Sequence, residues 1–567
     1  MKKCFSNKKF RSLLLTGSFT VIIQYLMILS DTIIIGNILG EQELAAVNVI
    51  KPVQSFVIFV TSLISIGTSV YYSYEIGKFN KNRADCIFGE GIFLATLSGI
   101  LLFLAGVYGN DIYFNYLNIS SQVRMGAFNY YFYYQFVILL LPFYTVLLEL
   151  VYADGDEWIC NISSVVQILV NILFSVLLCY RIGILGVGLG SLFGMISSIA
   201  ILLIHFMRKQ NTLHFVLHFN YQDILNVIRC GMTDSSAYLF MGMTSFATSK
   251  FVLTNFGEYY LPILLVVFDI IELTLVFDGI GQAVTPIINV YRGEKNHAGI
   301  RRIMRTSLMY AIAEGIGLSI LLYFFGENVA VLLGLSDAEL IEISSVAIRL
   351  VSPFFFCSGI LFLGTTYYMI IQKEILATVI TGVKDALIPI TFICIFGLFF
   401  GIHGVWIGLG LSPFVSVVLI SLYILMRYGK EKFPLLLEKD DREIYIYDIE
   451  LNQQNILDLR DQVEHLLLEK NIQRKSIHQV MLYIEEVGIL IYEKNKGKKT
   501  LCECSIILGD DIEIILRDDG IIFDLTDPDN SIESLRGYVV AHLMLHLPNR
   551  FNLMTTGYNR NMFRFNK

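Results

Sequence analysis

Ser30-Asp31-Thr32-Ile33-Ile34-Ile35-Gly36-Asn37-Ile38-Leu39-Gly40 sets an acid inside the first long apolar run of the chain. Gly17 to Leu29 before it is almost wholly apolar, and Ile33 to Ile35 with Leu39 continue the run. A segment of that length can cross a bilayer. A carboxylate at such depth costs at least about 2–3 kcal/mol, so it faces a cavity or a partner rather than lipid. An acid near a helix end could instead reach the headgroups, but aspartate is too short to snorkel far. Asp31 therefore reads as a cation- or proton-binding carboxylate.

The composition agrees. Of 567 residues, 55% are hydrophobic and 16% charged, against about 25% charged in soluble domains. A net charge of −7 argues against a nucleic-acid partner, which needs a basic face. The nine cysteines follow no disulfide or zinc spacing. Pairs such as His214/His218 and His542/His546 lack a third metal ligand. Apolar segments of spanning length recur twelve times between Arg11 and Tyr428, which predicts an all-α polytopic membrane protein. Basic residues follow the even-numbered spans: Lys78 and Lys81, Arg208 and Lys209, Arg292 to Arg305, Arg427 to Lys432. With Lys2 to Arg11 at the start, the positive-inside rule puts both termini in the cytoplasm, the chain lying in the inner or plasma membrane.

The membrane part repeats itself. Gly40-Glu41 with Leu44 is answered by Gly257-Glu258 with Leu261. Gly183-Ile184-x-Gly186-Val187 is answered by Gly401-Ile402-x-Gly404-Val405. Each half holds six spans, so the repeats run parallel and predict two six-helix lobes, 12–218 and 219–430. In this register Thr248 stands opposite Asp31, so the acid belongs to one half alone.

Asp31 to Gly36 followed by Leu44-Ala45-Ala46-Val47 resembles the first-helix signature of the multidrug and toxic compound extrusion (MATE) family. Gly67 to Gly77, Ala153-Asp154-Gly155 and Gly281 to Gly293 extend the resemblance over residues 12–428. The resemblance implies twelve helices in two lobes and efflux of amphipathic, often cationic compounds against Na+ or H+. It also implies a coupling site in which the first-helix acid works with a fifth-helix Asn-x-x-x-Asp pair and a sixth-helix hydroxyl. Asp31 and Asn171 match this pattern, Ser191 stands for the usual threonine, and Ser175 replaces the second acid. Asn171 and Ser175 are one turn apart on one helix face. Any Na+ would thus have Asp31 as its only anionic ligand.

The second half carries Asp269 and Glu272 on one helix face, with Asp278 further on and Asp234 one span earlier. Acids gathered in a cavity would attract cationic substrates, while Lys250 offers a pairing partner. Tyr130-Tyr131-Phe132-Tyr133-Tyr134 reads as an interfacial aromatic belt.

Hydrophobic saturation ends near Tyr428; residues 431–442 read as a linker and 443–567 as a small cytosolic α/β sandwich. Asn455–Glu469, Lys475–Glu493 and a stretch near Tyr538–Leu545 have helical patterning; Thr500–Leu508 and Asp511–Leu516 pattern as paired strands, with two short strands at the end. Asp518-Asp519-Gly520 after a strand resembles the adenine-side box of histidine-kinase-like ATPases of the anti-sigma-factor-kinase type. Glu485-Glu486 before it and Arg536-Gly537 after it fall in the family order. The resemblance implies ATP or ADP held by Glu486, Asp518, Gly520 and Gly537. Leu490 replaces the Mg2+-holding asparagine and Val539 the second loop glycine, so the domain reads as degenerate and regulatory, not as an enzyme.

The whole reads as a secondary efflux antiporter needing no cofactor beyond its coupling ion. Its partners are membrane lipid, a small-molecule substrate and a cytosolic regulatory protein. The alternatives are a flippase for lipid-linked saccharides and a transport-inactive membrane receptor that signals through its tail.

Overall fold

The computed structural model describes residues 5–77, 80–154, 156–208, 211–216, 220–437, 442–521, 549–551 and 559–566. It divides into two compact units. The larger, residues 20–277 and 311–421, is helical throughout. It takes most of α1 (Phe5–Leu39), then α2 (Glu41–Gly77), α3 (Lys81–Leu117), α4 (Ser121–Ala153), α5 (Glu157–Ile182), α6 (Ile184–Leu203), α7 (Tyr221–Asn255) and α8 (Leu261–Glu272). After α9 (Asp278–Gly293) come most of α10 (His297–Leu332), α11 (Ala338–Val351), α12 (Phe355–Ile370), α13 (Glu374–Gly382) and α14 (Ile388–Tyr428). Asn80, Ser120, Asn220 and Asp337 close helix starts by accepting a backbone N–H in the first turn.

Nine stretches among the described residues are long and apolar enough to cross a membrane, so the chain is a multi-pass membrane protein. The sequence reading expects twelve spans. One of the nine, Glu374–Tyr428, runs 55 residues and is broken at Gly401, whose φ of 63° and ψ of −148° no helix tolerates. α7, rich in Ser and Thr, is not among the nine.

The glycines paired in the sequence repeat share backbone angles. Gly183 sits at φ 65°, ψ −145°, and its counterpart Gly401 at 63°, −148°. Gly40 and Gly257 match likewise, at φ 91° and 90°. These values belong to the region that only glycine enters cheaply.

Small residues set the closest helix contacts, as they do where lipid removes the hydrophobic drive for association. Gly186, Gly190 and Gly194 line one stripe of α6. A Cβ on Gly190 would meet the backbone nitrogen of Ser175 at 2.5 Å, and one on Gly194 the Gln167 carbonyl at 2.8 Å. This stripe presses α6 onto α5. Between α2 and α7 the approach is reciprocal: Gly67 faces the Val227 carbonyl and Gly231 the Leu63 carbonyl.

The smaller unit gathers residues 1–19, 278–310 and 422–567. Its tail is a five-stranded antiparallel sheet in the order β1-β2-β3-β5-β4, made of β1 (Glu443–Glu450), β2 (Leu501–Leu508), β3 (Asp511–Asp518), β4 (Asn549–Phe551) and β5 (Asn559–Asn566). Two helices, α15 (Gln453–Glu469) and α16 (Arg474–Lys494), supply Val463, Leu467, Val480 and Ile484 to one core with Cys504, Ile506 and Ile514. The expected helices and the first strand pair are present, and β1 was not anticipated. The expected helix near Tyr538–Leu545 lies outside the described residues.

Substituting Gly190→Ala should force α5 and α6 apart and destabilise the protein by about 1–3 kcal/mol. Thermal unfolding in detergent reads this loss. Gly317→Ala, where a Cβ meets nothing within 4 Å, should leave the transition unchanged.

Candidate functional site

The α6 glycine stripe brings Ser191 to Asn171. Asn171 Nδ2 donates to Ser191 Oγ at 2.8 Å, and Ser191 Oγ donates to Asp31 Oδ2 at 3.3 Å. Two oxygens of this chain of contacts, Asp31 Oδ1 and Asn171 Oδ1, are buried and have no hydrogen-bond partner among the described residues. Both are acceptors with nothing to accept, in a bundle where an unanswered polar atom costs free energy. Oxygen donors around one carboxylate suit a hard monovalent cation or a proton. Ser175 is fully buried one turn along α5, but its hydroxyl donates to the Val187 carbonyl at 3.4 Å and not to Asp31. Ser191 donates to the same carbonyl at 3.1 Å.

The tyrosine run is not a surface belt. Tyr130 is 1% exposed and stands beside the Asp31 carboxyl group, with Tyr134 stacked on it at 5.3 Å between ring centroids. Gln54 Nε2 donates to the Tyr130 hydroxyl at 3.3 Å. Phe132 alone of this quintet is exposed. The helical period, turning Tyr130 and Tyr134 to one face, was the signal for this.

The second-half acids meet a residue that the sequence reading passed over. Lys51, buried in α2 beside Pro52, bonds the Asp269 carboxylate and lies 3.1 Å from Glu272 Oε1. Asp269 Oδ2 remains buried without a hydrogen-bond partner among the described residues, and the Asp269 backbone carbonyl accepts from the Tyr25 hydroxyl at 2.7 Å. Lys250, the partner weighed for these acids, instead donates to the Tyr116 carbonyl at 2.5 Å. A lone lysine inside a spanning run demands an acidic partner, and that rule would have found Lys51.

Lys51 and Glu272 line a cavity of about 160 Å³ with Lys384, Asp385, Phe268 and Phe355. Lys384 Nζ lies 2.5 Å from Asp385 Oδ2, in a π-helical turn at Val383–Leu387 of the kind that often marks functional positions. Of the four acids expected around a substrate, Glu272 lines this cavity; Asp269, Asp278 and Asp234 do not. Asp278 opens α9 and accepts from Gln282 Nε2 at 2.8 Å, and Asp234 is exposed on α7. The cavity walls thus carry equal numbers of acids and bases, not an acidic excess.

In the tail, Asp518 Oδ1 accepts from Asn559 Nδ2 at 2.8 Å and from the Gly520 N–H at 3.1 Å. Asp518 Oδ2 and one oxygen of Glu486 are buried without a hydrogen-bond partner among the described residues. Burial pushes the Asp518 carboxyl up to about 6, against the pull of its Asn559 and Gly520 donors. A Cβ on Gly520 would strike the Asn495 amide, whose Oδ1 caps the Ile521 N–H at 2.7 Å. Gly537, Val539, His218, His542 and His546 lie outside the described residues.

Helices of membrane-crossing length, packed through glycine around interior acids, define a multi-pass membrane transporter. The MatE family model matches residues 18–177 and 237–395, and the chain belongs to that family. The tail lies beyond the match. The inward-facing structure of a multidrug resistance MATE family transporter of the MOP superfamily is similar at 20% identity and a TM-score of 0.67, over 71% of this chain and 94% of that one. The outward-facing structure of such a transporter gives 19% identity and 0.61, over 74% and 96%. A MOP superfamily transporter from Pyrococcus furiosus, described by a reverse polarity of its binding pocket, gives 20% and 0.62, also over 74% and 96%. A comparison with curated proteins finds no match.

Two outcomes test these sites. Lys51→Met strands two carboxylates in the interior and should cost about 3–5 kcal/mol in detergent unfolding, most of it regained when Asp269→Asn and Glu272→Gln are added. For Asp518, a carboxyl raised in the folded state favours folding while protonated and loses that contribution as pH rises through about 6. Asp518→Asn should therefore stabilise the tail of the full chain at pH 7.5 by on the order of 3 kcal/mol and leave it nearly unchanged at about pH 3. Hydrogen exchange over β2 and β3 measures both.

Proposed function

We propose that the chain is a secondary active antiporter that exports amphipathic, cationic small molecules against Na+ or H+. In this reading twelve helices form two lobes, with the 55-residue stretch counted as two crossings and α1 and α7 as one each. The observation that carries it is the pair of orphaned oxygens on Asp31 and Asn171, held in one cluster by Ser191. A carboxylate in an apolar bundle prefers a bound cation or proton. Releasing that cation recharges Asp31, and the charge must then be answered by water or by movement of α1 against α5 and α6. That movement would change access for the substrate. Ser175 takes no part as a proton acceptor.

The tail acts in this reading as a cytosolic regulatory domain that binds ATP or ADP without hydrolysing it, or contacts a regulatory protein. The unpartnered oxygens of Asp518 and Glu486 support a nucleotide contact.

A second reading, a flippase for lipid-linked saccharides, is favoured by one observation: Lys51 and Lys384 both line the cavity, where a lipid phosphate would need cations. Each lysine already has a carboxylate beside it, which weighs toward the first reading. Proteoliposomes separate the two. An imposed Na+ or H+ gradient should drive counterflow of a fluorescent organic cation. Asp31→Asn should cut that counterflow by about tenfold or more. Undiminished counterflow in the variant overturns the coupling role, and transfer of a labelled lipid-linked saccharide without cation counterflow favours the flippase.

A further inference from the structure

The outer face of the tail sheet is the wrong chemistry for a covered surface, yet it is covered. β2 alternates Cys502, Cys504, Ile506 and Leu508, which pack under α15 and α16, with Leu501, Glu503, Ser505 and Ile507 on the other face. In an antiparallel sheet with one packed face, the second row normally meets water. Here every residue of β2 is buried.

Cross-strand register lines up four charges on that face. Asp448 pairs with Glu503, Glu503 with Arg517, and Arg517 with Arg560, so one row runs acid, acid, base, base across β1, β2, β3 and β5. Each member grips the membrane part of the same compact unit. Arg517 bonds Glu294, just past α9, and Arg560 Nε reaches the same carboxylate at 2.6 Å. The Tyr291 hydroxyl of α9 donates to both oxygens of Glu503 at 3.0 Å, and its ring lies 5.0 Å from the Arg517 guanidinium. Asp448 bonds Arg302 of α10 and accepts the Phe5 N–H, at the start of α1, at 2.9 Å. Beside the row, Lys8 of α1 lies 2.5 Å from Asp519, and Phe5 packs on Leu501. The side chains of Glu294, Glu503 and Arg517 are at most 1% exposed.

Buried ion rows add little net stability, because desolvation offsets the attraction, but they define one docking geometry and come apart into well-hydrated ions. A greasy interface would hold more permanently. This one is chemically suited to close and reopen.

We infer that the tail is a releasable cytoplasmic clamp: its charged row ties the start of α1 to the α9–α10 connection and so restrains transport until the row is freed. The inference rests on the two-lobed antiporter reading, in which α1 belongs to one lobe and α9 and α10 to the other. Opening toward the cytoplasm separates those helix ends, and a domain bonded to both opposes the separation. The clamp thus favours the state closed on the cytoplasmic side.

The partly exposed Arg302–Asp448 pair at the end of the row offers the test. Arg302→Glu sets two acids against each other, and Arg302→Glu with Asp448→Arg restores opposite charges. In the full-length protein in nanodiscs, Arg302→Glu should raise hydrogen exchange over residues 5–11 and 291–302 by about tenfold, while α15 and α16 keep their protection. In proteoliposomes the same variant should transport faster than wild type by a factor of roughly three. The double variant should return both readouts most of the way to wild type. Unchanged exchange overturns the clamp, as does release with an unaltered or lower transport rate. If wild type transports nothing, the antiporter reading fails, while exchange still decides whether the row holds the helix ends.

Discussion

A charge placed in a low dielectric must be answered by another group, and the arrangement of this protein follows from how each such charge is answered. Asp31 accepts from the Ser191 hydroxyl, and its second oxygen has no hydrogen-bond partner among the described residues. Asp269 and Glu272 share a single lysine, so the trio carries an uncompensated negative charge when all three are ionised. Arg517 sits between two carboxylates and Glu294 between two guanidinium groups. The degree of compensation distinguishes the three. The incomplete sites lie in the membrane bundle, and the complete network joins the tail sheet to the α9–α10 connection.

Geometry makes those answers available, and it comes mostly from residues with no charge at all. The α6 glycines let the α5 backbone come so near that a hydroxyl on one helix meets an amide on the other. Pro52 leaves the carbonyl one turn upstream of it in α2 without its usual helical N–H, next to the one lysine of that span. The π-helical turn at Val383–Leu387 sets Lys384 and Asp385 together on the cavity wall.

Much of this was legible in the sequence, for identifiable reasons. Period and hydropathy carry the helices of the bundle and the main elements of the tail, because a spanning helix and an alternating strand are each local patterns. The α5–α6 half of the cluster around Asp31 was legible because Asn171 and Ser191 stand in motif positions. The role of Lys51 was not, since its partners lie more than two hundred residues away and only packing brings them together. The inward turn of Tyr130 and Tyr134 was misread because an aromatic run invites a compositional reading, whereas the helical period of its members decides which rings face inside. β1 and the buried outer face of the sheet escaped for a related cause: short polar-patterned strands look solvated until the surface that covers them is known.

The paired glycines at 183 and 401, and at 40 and 257, hold nearly the same positive φ in two stretches whose side chains otherwise differ. A peptide held at such angles admits almost no other amino acid at low cost. At each of the four an added Cβ would meet nothing within 4 Å, so conformation and not crowding is what would reject a larger residue there.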